Sequence, residues 1–412
     1  MRVLFLGAGF EPEVTALAPY NTDLCKYLVG RGHEVTAIVG FPNYPQWRKY
    51  DEYRGRFFAK ENHDGVRVLR VPQYIPAEPT PVRRIAYDTT FAASALVAGL
   101  SVRRPDVILA TCSPLQLGVT AAVLSSRWRR PFVFHIQDLL PEGAIALGML
   151  RNARAIAAAN AMADFVYEHA STVTGIGLGL LEALRRRGVP QTKLAYLPNW
   201  VDIHKIAPAD RMSDWRRQQD IGPEKFVVMY IGNLGYKQDM AVVVSAAALL
   251  QGQRDIEFVI VGDGSERAKI ARYIAGLALQ NTRLLEVQPS GELGGMAAAA
   301  DLFVVHQTRE VVDMVVPSKL LTYASAGRPI LLAGVPASEG ARFVADSGGG
   351  LVVEPQNPAD LADAILSLRA EPEKRARMAA NARGYVEERF ARERVLADLE
   401  RLMRRTASRG RV

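Results

Sequence analysis

Phe226-Val-Val-Met-Tyr-Ile-Gly-Asn-Leu-Gly-Tyr-Lys237 runs from an apolar stretch into a turn bracketed by two glycines and closed by a lysine. A short continuous apolar run of this kind is the pattern of a strand buried on both faces of a parallel sheet. Glycines placed directly after it let backbone approach a phosphate, and Lys237 adds a cation. A helical stretch follows, so the unit reads as strand, loop and helix.

Working outward, Ile256–Gly262, Arg283–Val287, Leu302–His306, Pro329–Ala333 and Gly350–Glu354 repeat the strand pattern, each with a helical stretch behind it. An earlier series occupies the first half: Val3–Leu6, Val35–Val39, Val66–Val71, Val107–Ala110, Phe132–Ile136 and Thr172–Thr174. Helical stretches separate them around Tyr20–Val29, Arg84–Ser101 and Pro114–Trp128. Two α/β series of similar size predict two doubly wound, Rossmann-like domains facing a cleft. The expected domains are residues 1–199 with 391–412, and residues 200–390, with 202–224 read as a linker. Apolar residues at Phe390, Val395, Leu399 and Leu402 have helical spacing, so the C-terminal stretch is expected to return and dock on the first domain.

With 412 residues, 49% apolar and 23% charged, the chain has the composition of a soluble globular protein of two domains. Met1-Arg2 leads straight into the first strand with no signal-peptide pattern, and the apolar stretch Phe91–Val102 is too short to cross a bilayer. Cys25 and Cys112 match no metal spacing and read as buried thiols of a reducing compartment. The net charge of +8 is unevenly spread: residues 1–199 hold 23 Lys/Arg against 16 Asp/Glu, 200–390 hold 21 against 24, and 391–412 hold 7 against 3. The first domain and the tail together carry +11, which suits either an anionic partner or a solvated Arg-rich surface.

Gly7-Ala8-Gly9 after the first strand invites a dinucleotide reading, but Pro12 stands where the third glycine belongs and Val39-Gly40-Phe41 supplies no acid for a ribose. No Asp-x-Asp triplet and no metal-ligand spacing occurs. A diphosphate bound here would be neutralised by protein cations and helix N-termini in place of a divalent ion. Pro317-Ser318-Lys319 opens a helix running to Gly327-Arg328-Pro329, offering free N–H groups, a hydroxyl and a second lysine.

Gly232-Asn-Leu-Gly-Tyr-Lys-Gln238, Val261-Gly-Asp-Gly-Ser-Glu-Arg267 and Val316-Pro-Ser-Lys-Leu-Leu-Thr-Tyr-Ala-Ser-Ala-Gly-Arg-Pro-Ile330 together resemble the family 4 glycosyltransferases of GT-B fold. The chain is similar to their branch of colanic-acid, O-antigen and fucosamine transferases. Arg31–Thr36, Tyr44–Trp47, His135–Leu139 with Pro141-Glu142, and Pro198-Asn199-Trp200 carry the resemblance through the first half.

The resemblance implies a retaining transfer of a hexosyl or N-acetylhexosaminyl group from a nucleotide-diphosphate sugar, most simply a UDP-sugar, with no metal and no cofactor. Lys237 would grip the diphosphate, with Pro317, Ser318 and Lys319 opposite it and Gly232, Asn233 and Gly235 forming the loop. Val287 and Gln288 would face the base, and Thr322 lies along the same donor segment. Asp313 falls where the family places donor-sugar contacts, or is a loop carboxylate; Asp138 would bind a substrate or hold a loop. On the first domain, Thr15 lies in the loop after the first strand, and His135 stands at a strand end with a core or a site role.

The sequence departs from the family in five places. Met314 and Thr322 replace two glutamates, Asn233 replaces an arginine, Thr15-Ala-Leu-Ala-Pro19 replaces a glycine-rich loop, and Thr111-Cys-Ser113 stands where many relatives have a histidine. The acceptor side would take a saccharide or a polyprenyl-diphosphate-linked sugar, and no nucleic acid. The stretch 81–104, basic at both ends and apolar between, would rest on an anionic membrane surface from the cytoplasm, or be a buried inter-domain helix. The departures also leave room for a non-catalytic subunit that activates a transferase, or for a nucleotide-sugar isomerase.

Overall fold

The computed structural model describes residues 1–15, 17–146, 148, 150–309 and 317–409. The chain divides into two compact units, Met1–Pro198 with Leu396–Val412, and Asn199–Val395. Among the described residues no helix is long and apolar enough to cross a membrane.

The first unit is built on β1 (Arg2–Leu6), β2 (Glu34–Gly40), β3 (Ala59–His63), β4 (Val66–Val71), β5 (Val107–Cys112), β6 (Phe132–Ile136), β7 (Thr172–Gly175) and β8 (Leu194–Tyr196). They form one sheet in the order β3-β4-β2-β1-β5-β6-β7-β8. All pairs are parallel except β3 with β4. β3 escapes a hydropathy reading because Ala-Lys-Glu-Asn-His is an edge strand with charged side chains; Asp64 and Gly65, both at positive φ, turn the chain back into β4. The helix Arg392–Arg409 starts in the second unit and belongs to the first from Leu396 onward. Leu396, Leu399 and Met403 are buried, and Glu400, paired with Arg404 one turn on, ties Arg31 and His33 to the helix.

The second unit contains β9 (Phe226–Ile231), β10 (Ile256–Val261), β11 (Thr282–Leu285), β12 (Leu302–His306), β13 (Ile330–Ala333) and β14 (Gly350–Val353). All are parallel, in the order β11-β10-β9-β12-β13-β14. This is the Rossmann arrangement 3-2-1-4-5-6, whose topological switch point lies between β9 and β12.

The stretch 202–224 is not a linker. It contributes a short helix, Asp214–Gln218, whose Trp215 and Arg216 are buried in the second unit's core. The Arg216 guanidinium donates to the carbonyls of Ala299, Gly222 and Lys225 and to Asp301, whose carboxylate also caps the amide of Val227 at the start of β9. Polarity alone misreads this segment because the arginine's hydrogen-bonding capacity is met inside the protein. Replacing Arg216 by Ala should cost about 2–4 kcal/mol, because it removes a buried guanidinium that serves Asp301 and three carbonyls at once, leaving Arg211 and the Val227 amide on Asp301. A thermal unfolding midpoint unchanged from that of the native chain would refute this role.

Candidate functional site

At the switch point the ladder between β9 and β12 stops after Val228 and Met229 pair with Leu302 and Phe303. Ile231, two residues further on, would be left with both its backbone groups unpaired on that side. Tyr323, from the helix Ser318–Ser325, supplies the missing partner: its hydroxyl accepts from Ile231 N at 2.9 Å and donates to Ile231 O at 2.8 Å. Its ring stacks on Phe303 with centroids 3.7 Å apart. The same helix therefore begins beside the carboxyl end of β9, and this brings Lys319 to it.

Lys319 Nζ donates to Tyr230 Oη at 2.6 Å and lies over the Tyr230 ring at 4.3 Å. The tyrosine hydroxyl donates in turn to Asn233 O at 2.6 Å. A Cβ at Gly232 would meet Lys319 Nζ at 3.2 Å and Tyr230 Oη at 3.3 Å, so the cation sits directly against the glycine backbone. Burial lowers the Lys319 pKa from 10.5 to about 7. Such a cation is energetically poised to accept an anion beside it.

The loop after β9 is held by its neighbour after β10. Leu234 N donates to Asp263 O, and Glu266 N donates to Leu234 O. A Cβ at Gly262 would stand 1.9 Å from Gly232 O, and one at Gly264 2.5 Å from Leu234 O. The glycines of Val261–Arg267 thus permit the two loops to touch.

Lys237 lies in the short turn Tyr236–Gln238, and among the described residues its ammonium has no partner. His306, at the end of β12, fixes this turn from below: its Nδ1–H donates to Gln238 O at 2.9 Å, while Nε2 accepts from Gln356 N at 3.2 Å. Burial lowers its pKa and favours the neutral ring that this pattern requires. Thr308 N donates to Lys237 O at 3.1 Å. Among the described residues, the side-chain oxygens of Gln307 and Thr308 are buried without a hydrogen-bond partner.

The remaining residues named from sequence are placed as follows. Gly232, Asn233, Gly235, Lys237 and Lys319 gather around the carboxyl end of β9. Ser318 is exposed at the helix start behind Pro317, and Thr322 is half-buried one turn later. Val287 lies beyond the end of β11 and is exposed; Gln288 Nε2 donates to Glu286 O. Asp313 and Met314 lie outside the described residues.

In the first unit Thr15 is exposed in the loop after β1, and Asp138 is exposed beyond β6, its carbonyl facing the Cys112 thiol. His135 is buried: Nδ1 pairs with Thr174 Oγ1 and Nε2 with the Gln137 amide, both at 2.8 Å. Burial lowers its pKa to about 4, so the ring is neutral at physiological pH. The loop containing Tyr44–Trp47 is anchored by buried Glu13, which accepts from the amides of Asn43 and Tyr44. Trp47 packs edge-on to Tyr44 and Tyr87, with Arg84 over its ring.

Sequence reasoning missed Tyr230, Tyr323, His306, Gln307 and Thr308. Tyr230 and His306 sit inside apolar strand runs and read as core, and Tyr323 reads as the buried face of a helix. Nothing in the linear pattern shows that two strands part company in front of that ring.

The second unit is thus a parallel sheet of Rossmann order with two glycine loops and two lysines gathered at its switch point. Residues 15–200 match the family described as Glycosyl transferase 4-like domain, and residues 212–385 that described as Glycosyl transferases group 1. The chain belongs to these glycosyltransferases.

It is 28% identical over 335 residues to WcaI of Escherichia coli K12, named for glycosyl transfer in colanic acid biosynthesis; the match covers 79% of this chain and 82% of that one. Among solved structures it matches sucrose-phosphate synthase from Thermosynechococcus elongatus with a TM-score of 0.77 at 17% identity, over 98% of both chains. It also matches Anabaena HepE in complex with UDP-glucose, with a TM-score of 0.69 at 18% identity, over 98% of this chain and 99% of that one. These matches give the two parallel-sheet domains the GT-B fold.

The depressed pKa of Lys319 makes a prediction with a definite sign. The unfolded chain keeps this lysine protonated up to about 10.5, whereas the folded site releases the proton near 7. Folding is therefore penalised fully below pH 7, and the penalty fades as pH rises toward 10.5. Lys319→Met should unfold at a higher temperature than the native chain at pH 7, with the difference shrinking toward pH 10. Scanning fluorimetry across that range checks it; a variant less stable at pH 7 refutes it.

Proposed function

We propose that this chain is a retaining, metal-independent glycosyltransferase of cell-surface polysaccharide synthesis. It would move a hexosyl or N-acetylhexosaminyl group from a UDP-sugar to a saccharide or a polyprenyl-diphosphate-linked acceptor. The observation that carries this reading is the Lys319 ammonium held against the Gly232 backbone at the switch point, with Lys237 on the loop built from that glycine. WcaI, named for colanic acid, supports the polysaccharide assignment, and HepE, solved with UDP-glucose, supports the uridine donor.

In the proposed reaction the acceptor hydroxyl approaches the anomeric carbon from the side of the leaving group. The new C–O bond forms as the bond to the diphosphate breaks, and the hydroxyl proton passes to the departing phosphate oxygen. No side-chain nucleophile or base is needed, and no cofactor enters. The work left to the protein is to orient the reactants and to stabilise charge growing on the diphosphate. Lys319 and Lys237 serve the second task; with Asn233 where relatives carry an arginine, Lys319 supplies the cation at this loop. Metal independence rests on the lack of an Asp-x-Asp triplet in the sequence. The acceptor is assigned to the first unit, where the ring pair Trp47 and Tyr87 offers a face for a saccharide. Its positive charge, counted with the C-terminal tail, draws it to an anionic membrane carrying a lipid-linked acceptor.

Purified protein given UDP-, GDP- and ADP-sugars with a polyprenyl-diphosphate saccharide should release a nucleoside diphosphate and form a product that keeps the donor's anomeric configuration. Inversion would eliminate the front-face route. No turnover with any donor despite tight nucleotide binding would favour a non-catalytic subunit, a role to which Met314, Thr322 and the alanines of Thr15-Ala-Leu-Ala-Pro19 would also point. Lys237→Ala and Lys319→Ala should each lower turnover by about 10²–10³ at saturating donor; native rates would remove these side chains from the mechanism. Activity should persist in EDTA, and a loss restored by Mg²⁺ or Mn²⁺ would refute metal independence.

A further inference from the structure

The helix Pro81–Leu100 buries Phe91, Ala92, Ala95 and Gly99 and leaves Val82, Ile85, Val97 and Leu100 in contact with solvent. Gly99 lets it press closely on the neighbouring helix, where an added Cβ would fall 2.5 Å from Leu124. Its first half exposes Arg83, Arg84, Thr89 and Thr90, whereas on its second half the exposed residues Ala93, Val97 and Leu100 are apolar where a surface helix would ordinarily be polar. Beside it, just before β3, Phe57 is 77% exposed, and Phe58 is exposed as well.

Between these aromatic rings and the second half of the helix runs a groove of about 890 Å³. Phe57, Phe58 and Val97 line it with apolar surface. The charged residues lining it are Lys60, Arg67 and Arg103, all basic. Outside the groove, Glu34 lies 3.7 Å from Arg67 and 3.9 Å from Arg103, one carboxylate against two guanidinium groups. Neither the aromatic cluster at Trp47 nor the loop after β1 takes part in it, so it is separate from the surface assigned to the acceptor.

We infer that this groove is a docking site for an anionic phospholipid of the membrane, one hydrocarbon chain lying against Phe57, Phe58 and Val97 with the phosphate held by Lys60 and Arg103. The inference deepens the membrane assignment proposed above and rests on it for its setting. An apolar groove whose charged lining is wholly cationic is complementary to a lipid and not to a sugar, which would need convergent hydrogen-bonding groups. A groove of this volume is of the size that encloses small-molecule ligands. Exposed aromatic side chains beside a helix with an outward apolar stripe and basic residues past its end are the elements of an interfacial anchor. The arginines at the helix start are engaged elsewhere: Arg84 lies over Trp47, and Arg83 is 3.4 Å from Glu78. The cations at the groove itself are Lys60, Arg67 and Arg103, with Arg67 and Arg103 sharing the single carboxylate of Glu34.

Two measurements on the full-length protein separate the groove from general membrane attachment. In the first, dihexanoylphosphatidylglycerol below its micellar concentration is titrated against the native chain, Ala93→Trp, which fills the groove, and the double variant Lys60→Glu/Arg103→Glu. Saturable binding is expected, weakened at least about tenfold by either variant and at least about tenfold weaker for the phosphatidylcholine analogue, a factor readily resolved in a dissociation constant. A far-UV circular dichroism spectrum and a thermal unfolding midpoint unchanged from those of the native chain establish that Ala93→Trp is folded. Absence of saturable binding, equal binding by Ala93→Trp, or equal binding of the choline lipid overturns the proposed groove, the last by pointing to an apolar site of no headgroup preference.

In the second, co-sedimentation with phosphatidylglycerol vesicles tests attachment as such. Vesicle binding by the native chain with no monomeric-lipid site overturns the groove and keeps the membrane assignment. A monomeric-lipid site without vesicle binding does the reverse.

Discussion

The second unit depends on one parting of strands. β9 and β12 pair only near their starts, and beyond Met229 the backbone of Ile231 faces a gap. Unpaired amide and carbonyl groups in such a place are costly. The Tyr323 hydroxyl meets both, acting as acceptor and donor to one residue. Because this hydroxyl must stand at a set height above the sheet, the helix that carries it is fixed as well. Lys319, four residues earlier, is therefore delivered to Tyr230 and Gly232, and the sheet's topology becomes the position of a charge.

Electrostatics at that position follow from what surrounds the lysine. Its ammonium has the Tyr230 hydroxyl and ring but, among the described residues, no carboxylate partner. Desolvation without a countercharge lowers its pKa, and a diphosphate would supply the countercharge that the protein withholds. His306 illustrates the opposite arrangement. Both its nitrogens are engaged by backbone groups, and its neutral ring joins the turn bearing Lys237 to the segment after β14. One cation is left with an unmet charge, and one histidine is fully satisfied.

The glycines carry a different kind of constraint. Gly262 and Gly264 are needed because the carbonyls of Gly232 and Leu234 pass where side chains would begin. They hold the loop after β9 from behind. In the first unit, the buried carboxylate of Glu13 does comparable work by gathering the amides of Asn43 and Tyr44 and setting the loop that presents Trp47.

Much of this was legible in the linear sequence. The apolar runs bounded by glycine gave most strands, because a parallel strand buried on both faces is apolar throughout and needs no alternation. The positions of Lys237 and Lys319 were legible because one follows a strand end and the other opens a helix. Three features were decided only by tertiary structure. Arg216 enters the core because carbonyls from distant segments converge on it, turning an apparent linker into packed structure. β3 forms because β4 offers it an edge, although its own side chains are charged. Tyr230, Tyr323 and His306 acquire their roles from a gap between strands that is a property of the sheet; no periodicity encodes it, since periodicity reports which face a residue takes and not what stands opposite.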